Sequence, residues 1–554
     1  MSEEEDIDLE VEVILIIVLL IVYIFVAQLI EEQKIDFLHE SGIAILLGAI
    51  SGIIFLFVGS SPISFSGEGF FYFVLPPIIF GAGYTLKEKN FFKNIGYITL
   101  FGLLGTLISM VVMSAFVIIF NDYLFPLGHS QRLTTAECLL LSAVLCATDS
   151  VAALAIVKET EFPTLNSILF GEGVVNDAVA ILIFKSVEKM IEEGKENVDE
   201  DIIDTRGVEV GIKEILATTK DFFILTLSSL GLGIAIGLIS AFILKNIKSL
   251  RHHPTLEIFL IMLFGYMSYL LAELLNLSGI MTLFLCGVIM SHYTYHNVSK
   301  SSKVGSVVSI TSIAFLAEAF LFTYLGLSIF STESSSFSLN FTFLIIIAAV
   351  LARFASVFLS IAIYALFRRC VIEIDCKQLT LIWFSGLIRG AIAFALSLEI
   401  GPSIAPHRDQ MVSTTLMMVL MTTVVLGGVM SAFAKLIGLD AEVTDEDELA
   451  GTHDSKIERL TDVVFKDKKK GLCKRMFRKL DNKILKPLFG GDMSKIKRAS
   501  SFQSYMTTTT PKPAADTQAL LRSSPSNDAD MQNRTASLMR GANLDRISEH
   551  TDEN

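Results

Sequence analysis

Ionisable side chains stranded inside long apolar runs are the part of this sequence that could do chemistry. CATDSVAAL holds Thr148, Asp149 and Ser150, FGEGVVNDAVAI holds Glu172, Asn176 and Asp177, and later runs hold Glu318, Arg353 and Arg389. A charge at the middle of a bilayer costs about 2.5 to 3.5 kcal/mol on insertion scales, so such a group faces the protein interior, with a partner or a water-filled path beside it. Carboxylates grouped with an amide and a hydroxyl offer oxygen ligands to a small cation or a place for a proton. The arginines supply counter-charge. No nucleophile–base pair and no His/Cys ligand cluster accompanies them, which argues against an enzyme, a fixed metal or another cofactor, and nothing calls for nucleic acid.

Helical spacing separates the two acids of the second motif. At about 100° per residue, Asn176 lies nearly above Glu172, whereas Asp177 lies about 140° around the cylinder and shares a face with Gly173. The two carboxylates therefore serve different places. Asp177 is assigned to transported ions, and Glu172 to a fixed pair with an intramembrane arginine. Asp149, flanked by Thr148 and Ser150, reads either as an ion ligand or as the cap of a helix break. Glu318 reads as an interior hydrogen-bonding residue, with direct ion handling as the alternative. Gly386 and Gly390 around Arg389 mark a bend or close packing. Gly233 and Gly237 have the spacing of a helix contact. His252, His253, His292 and His296 fall at loop edges, where a surface role or pH sensing is open.

These residues need membrane helices to position them. Of 554 residues, 52% are hydrophobic, 41 are Phe and only 18% are charged, and the mean hydropathy is +0.59, which excludes an ordinary soluble protein. The net charge of −14 is scattered over the acidic start, residues 192–214 and Glu442 to Glu448, so it defines no single binding surface. Six cysteines without C-x-x-C spacing give no disulfide framework. Apolar runs long enough to span about 30 Å of hydrocarbon recur about thirteen times between residues 11 and 438. The first is read as a retained span rather than a signal peptide, because its leader is acidic. Loops containing Lys87, Lys89, Lys93, Lys248, Arg251, Lys300, Lys303, Arg368, Arg369 and Lys377 fall on one face, which makes that face and the C-terminal tail cytosolic and the N-terminus luminal or external.

Three regions follow: a membrane domain over 1–438, a basic amphipathic segment over 439–499 and a disordered tail over 500–554. Within the second, residues 463–489 interleave Lys and Arg with Phe, Leu, Ile and Met, as a helix on anionic lipid or within a calmodulin-like partner would; a solvated basic helix is the alternative. Ser500 and Ser537 follow Arg498 and Arg534 at the spacing of basophilic kinase sites.

The motifs FFYFVLPPIIFGAGYTL (70–86), ATDSVAALAIV (147–157), FGEGVVNDAVAILIF (170–184), LSGIMTLFLCGVIMSHYTYHN (277–297), FLAEAFLFTYLGL (315–327) and WFSGLIRGAIAFALSL (383–398) resemble the sodium/proton exchangers of the cation/proton antiporter superfamily, over about residues 40–438. FGEGVVNDA, MSHYT and Ile388 in GLIRGA look most like the endosomal and vacuolar branch, which implies such a membrane ahead of the plasma membrane. The resemblance implies an all-α, polytopic homodimer with about thirteen spans in inverted repeats, the fifth and twelfth interrupted and crossing near the midplane. It implies that Asp177 binds Na+ or K+ and H+ in turn, that Asn176, Asp149 and Thr148 complete the site, that Glu172 pairs with Arg353, and that Arg389 compensates the crossing helix ends. Many animal relatives have serine where this chain has Gly173, which removes one side-chain ligand.

Two functions from different classes fit this pattern. One is an antiporter; the other is an ion channel or ion-sensing receptor with the same fold. Competition of two ions for one carboxylate distinguishes them. Counting Asp149, Glu172 and Asp177 against Arg353 and Arg389 leaves one negative charge, which one cation or one proton neutralises, so exchange is expected to be electroneutral, provided that Glu318 is protonated or outside the core.

Overall fold

The computed structural model describes residues 3–33, 39–58, 69–86, 88–124, 132–157, 161–196, 212–329, 338–368, 374–402, 404–438, 481 and 485–490. Every apolar run singled out above carries helix, and no strand occurs among the described residues. A bilayer offers backbone N–H and C=O groups no water, so an apolar chain crossing it satisfies them internally as helix.

The helices are α1 (Glu3–Glu32), α2 (Glu40–Val58), α3 (Phe70–Tyr84), α4 (Asn90–Asp122), α5 (Thr135–Val144), α6 (Val151–Ile156), α7 (Pro163–Glu196), α8 (Ile212–Asn246), α9 (Pro254–Leu274), α10 (Gly279–Ile289), α11 (Lys300–Ser328), α12 (Leu339–Arg368), α13 (Cys376–Ser385), α14 (Ala391–Glu399), α15 (Arg408–Ile437) and the short α16 (Lys486–Phe489). Seven of these, α4, α7, α8, α9, α11, α12 and α15, are long and apolar enough to cross a membrane by length and composition. The fifth and twelfth spans are each broken in two, as α5/α6 and α13/α14.

Sequence-local devices start the helices that matter here. Thr134 and Glu137 form a reciprocal capping box at α5, and Asp375 with Gln378 does the same at α13. Small residues then let helices approach closely. A Cβ at Gly233 would stand 2.5 Å from the Thr282 carbonyl oxygen, and one at Gly237 would strike Ile289, so the G-x-x-x-G face of α8 packs on α10. Gly48 and Gly326 bring α2 and α11 backbone to backbone in the same way. Outward-facing residues such as Ile14, Phe25, Leu227, Leu263 and Phe343 stay exposed, forming the apolar exterior that lipid requires.

Of the basic segment 463–489, only Asp481 and residues 485–489 are described. Tyr293 donates to Asp481 Oδ1 at 2.8 Å, Lys486 pairs with Asp481 Oδ2 at 2.8 Å, Lys245 donates to the Pro487 carbonyl at 2.6 Å and Asn297 to that of Phe489 at 2.8 Å. This piece therefore lies against the end of α8 and residues 290–297. The rest of the segment, the acidic stretch 442–448, residues 197–211, both kinase-like sites and the tail 500–554 lie outside the described residues.

Candidate functional site

The two interrupted spans meet at their breaks. α5 ends at Val144, and the chain runs without helix through Thr148-Asp149-Ser150 before α6 begins. Asp149 Oδ1 accepts the Val151 N–H at 2.9 Å, the local side-chain-to-backbone bond that lets aspartate compete with helix. In the other broken span, Gly386 to Gly390 separate α13 from α14. The Asp149 N–H donates to the Ile388 carbonyl at 2.9 Å, so the breaks are joined through the backbone.

Arg389 sits at this junction, 1% exposed. Its guanidinium donates to the Ala147 carbonyl at 3.2 Å, just beyond the C-terminal end of α5, where helix carbonyls leave negative potential. Its backbone is held on both sides, by Thr422 Oγ1 accepting from its N–H at 3.0 Å and Thr423 Oγ1 donating to its carbonyl at 2.7 Å. These threonines lie in a π-helical stretch, Met421–Leu426, and such widened turns are frequent at functional sites.

α7 carries the remaining groups. Glu172 and Arg353 form an ion pair, each 3% exposed, and Arg353 also donates to the Ile382 carbonyl at 2.9 Å. A Cβ at Gly386 would collide with this guanidinium. Asn176 accepts the Thr148 N–H at 2.9 Å and donates to Thr106 Oγ1 at 2.8 Å and the Cys146 carbonyl at 3.2 Å. Its amide is thus spent on holding the broken span against α7 and α4.

Asp177 points elsewhere, into a cavity of about 320 Å3 that Thr148, Asp149, Ser150, Gly173, Glu318 and Gly390 also line. The structure therefore brings Thr148, Asp149 and Asp177 to one space and keeps Asn176, Glu172, Arg353 and Arg389 out of the lining. Among the described lining residues the ionisable ones are Asp149, Asp177 and Glu318, and none is basic. Such a cavity favours a small cation. Asp149 thus bonds the first N–H of α6 and also lines the cavity. Glu318, whose place the sequence left open, is in the cavity wall, so the charge count has to include it.

Glycine at 173 has a packing reason as well, because a Cβ there would strike the Ser150 hydroxyl. That hydroxyl occupies the space beside α7 which Gly173 leaves free. Thr106, Thr422, Thr423 and the Ile388 carbonyl were not singled out from the sequence. The paired threonines of MTTVV inside an apolar run were the one available signal; backbone carbonyls gave none.

Gly390 sets the fit. A Cβ there would lie 2.9 Å from Asp149 Cβ and 3.0 Å from its Oδ2. Gly390→Ala is expected to push the Asp149 carboxylate out of place and slow transport roughly tenfold or more, since small misplacements at a reacting site are costly. Initial flux in vesicles with matched protein content measures this, and an unchanged rate would show that Asp149 can move without consequence.

The family model described as "Sodium/hydrogen exchanger, transmembrane" matches residues 14–436. "Sodium/hydrogen exchanger 1" of Oryza sativa subsp. japonica is 34% identical over 503 residues, covering 84% of this chain and 90% of that protein. "Sodium/hydrogen exchanger 3" of Arabidopsis thaliana is 36% identical over 420 residues, covering 73% and 79%. "Sodium/hydrogen exchanger 8" of Homo sapiens is 33% identical over 452 residues, covering 80% and 74%. Among solved structures, the sodium proton antiporter MjNhaP1 from Methanocaldococcus jannaschii at pH 8 aligns with a TM-score of 0.56 at 18% identity, over 78% of this chain and 99% of that one, a likeness of fold.

Proposed function

We propose, from the premise that this chain belongs to the sodium/hydrogen exchanger family, that Asp177 is the group that takes a monovalent cation and a proton in turn. The protein is a multi-pass membrane cation/proton antiporter. The observation that carries the assignment is the cavity. Asp177 opens into it with Asp149 and Thr148, and no basic side chain among the described lining residues holds the carboxylates permanently neutral. Asn176 is a positioning residue, fixing the broken span so that Thr148 and Asp149 face Asp177. Glu172 with Arg353 and Arg389 with the end of α5 compensate buried charge around the site. The channel or receptor reading has no observation of its own.

Exchange is proposed to be one cation for one proton. Glu172 and Arg353 neutralise each other in place, and Asp177 is neutral with either ion bound. Glu318 lies on α11, which lines the cavity together with α3, α7 and the junction of the broken spans. If alternating access moves one wall against the other, a charge on the stationary wall is not carried, so its protonation leaves the stoichiometry unchanged. The reading extends to Na+ or K+ as substrates, a homodimer, an endosomal or vacuolar membrane, a luminal N-terminus, a cytosolic tail, and anionic lipid or a calmodulin-like partner for the remainder of 463–489. These rest on the motif resemblance, the loop charges and the basic-apolar pattern.

The test is proton flux in sealed vesicles under imposed Na+ and K+ gradients at several membrane potentials. Flux driven by either cation, with a rate and reversal point independent of potential, is expected. A reversal point that moves with potential would overturn the one-for-one ratio, and no coupled flux would overturn the assignment of exchange to this site.

A further inference from the structure

The path that holds Asp177 has an open and a closed end. The cavity is lined by the last turns of α3, by Thr148 to Val151 and by the first half of α7 as far as Asp177, and Val151 in its wall is 38% exposed. It is open toward the face at which α3 ends and α7 begins. α15 ends at this face too, since Met430 and Ala434 pack in one apolar cluster with Leu165 and Ile168. Beyond Asp177 the helix is sealed. Each of Ala178 to Phe184 is 6% exposed or less, and Ile280, Leu283 and Phe284 of α10 lie in the same apolar core. Just past this seal, about 12 Å along α7 from Asp177, Lys185 donates to Glu273 Oε1 at 2.8 Å and Oε2 at 2.9 Å.

The two partners belong to different bodies. α7 is tied to the broken fifth span by Asn176 and to α12 by Glu172 with Arg353. α9 goes instead with α3, α10 and α11. A Cβ at Gly265 would strike Phe80 of α3, one at Gly83 would strike the Phe284 carbonyl of α10, and Glu257 accepts from the Ser302 hydroxyl of α11. Glu273 is held in place within this body, because Asn276, at φ 53°, turns the chain tightly between α9 and α10, and Glu273 Oε1 accepts the Gly279 N–H at 3.0 Å. Lys185 has a second acid within electrostatic reach, Glu188 on its own helix. It can therefore leave Glu273 without leaving its charge uncompensated. Lys189 of α7 also reaches Asp221 of α8, but at 3.7 Å and with side chains 58% and 43% exposed, so solvent screens that pair.

We propose that Lys185 and Glu273 are a positioning pair for exchange: their ion pair closes the face opposite the cavity and holds Asp177 turned toward the cavity side. It parts each time the two bodies move to expose Asp177 on the other face. The inference rests on the exchange reading above.

The experiment measures initial cation-driven proton flux of the full-length protein in vesicles of both orientations, against Na+ or K+ concentration. Sidedness is read from protease access to a C-terminal tag, which continues from the cavity-side end of α15. Losing the pair shifts the population toward the opposite-facing state, and apparent affinity falls with the fraction of competent protein. For Lys185→Gln and for Glu273→Gln, the ratio of the cation KM on the cavity side to that on the other side is expected to rise about two- to fivefold, as suits a partly exposed pair. The double substitution should match either single one rather than their sum. Choline chloride raised on the far side should produce the same rise in the parent and none in the variants, which a packing defect would not do. Lys185→Arg, which keeps the charge, should keep the parent ratio; if the glutamine variants fold poorly, the salt effect in the parent decides. An equal change of KM on both sides, no change on either, or a parent ratio indifferent to salt overturns the proposal. Absence of cation-driven flux in the parent protein would instead overturn the exchange reading, so the two failures are distinct.

Discussion

Asp177→Asn is expected to reduce cation-driven proton flux to the level of protein-free vesicles, while the protein still folds and reaches its membrane. The carboxylate is the group on α7 that opens into the cavity with Asp149 and Thr148, and an amide can neither be neutralised by a cation nor take up the exchanged proton. The fold should tolerate the change. Asp177 is partly exposed to the cavity rather than sealed, and asparagine has nearly the same size and shape as aspartate. Flux is read with a pH dye under an imposed Na+ or K+ gradient, with dispersity in detergent as the control for folding. Exchange at the normal rate would remove Asp177 from the centre of the mechanism and leave Asp149 or Glu318 to replace it.

Removing either partner of the Glu172–Arg353 pair should cost about 3 to 5 kcal/mol of stability, because the other charge is left buried and uncompensated. Both residues are 3% exposed, and neither lines the cavity. Glu172→Gln and Arg353→Gln should each lower the unfolding temperature in detergent, and the double substitution should lose less than the sum of the two, since it leaves no lone charge. A charge-swapped pair should not recover the parent value. Arg353 also donates to the Ile382 carbonyl, and its guanidinium fills the space that Gly386 leaves open; a carboxylate at position 353 would do neither. Unchanged unfolding temperatures in both single variants would mean that the pair contributes nothing to the fold.

Much of this protein was legible in the sequence because a bilayer leaves few choices. Apolar runs of membrane length are obliged to be helix, so composition alone fixed the all-α class and the approximate positions of the spans. The cost of burying charge made Asp149, Glu172, Asp177, Arg353 and Arg389 stand out. The rigid 100° step of a helix separated Glu172 from Asp177 before any contact was known, and the structure sends the first to Arg353 and the second to the cavity.

Tertiary structure decided what each of those groups faces, because a helical period gives angles within one helix and says nothing about its neighbours. Asn176 stands next to Asp177 in sequence, and only the folded chain shows its amide joined to Thr148, Cys146 and Thr106, residues 28, 30 and 70 positions away. The seam between the broken spans runs through the Ile388 carbonyl, and every residue type has a carbonyl, so no letter of the sequence could mark it. Glu318 was ambiguous for the same reason: one acid on a long apolar helix faces lipid, protein or water according to how that helix is rotated. Packing of α11 against α2 and α3 set that rotation, and so placed a third carboxylate in the cavity with Asp149 and Asp177.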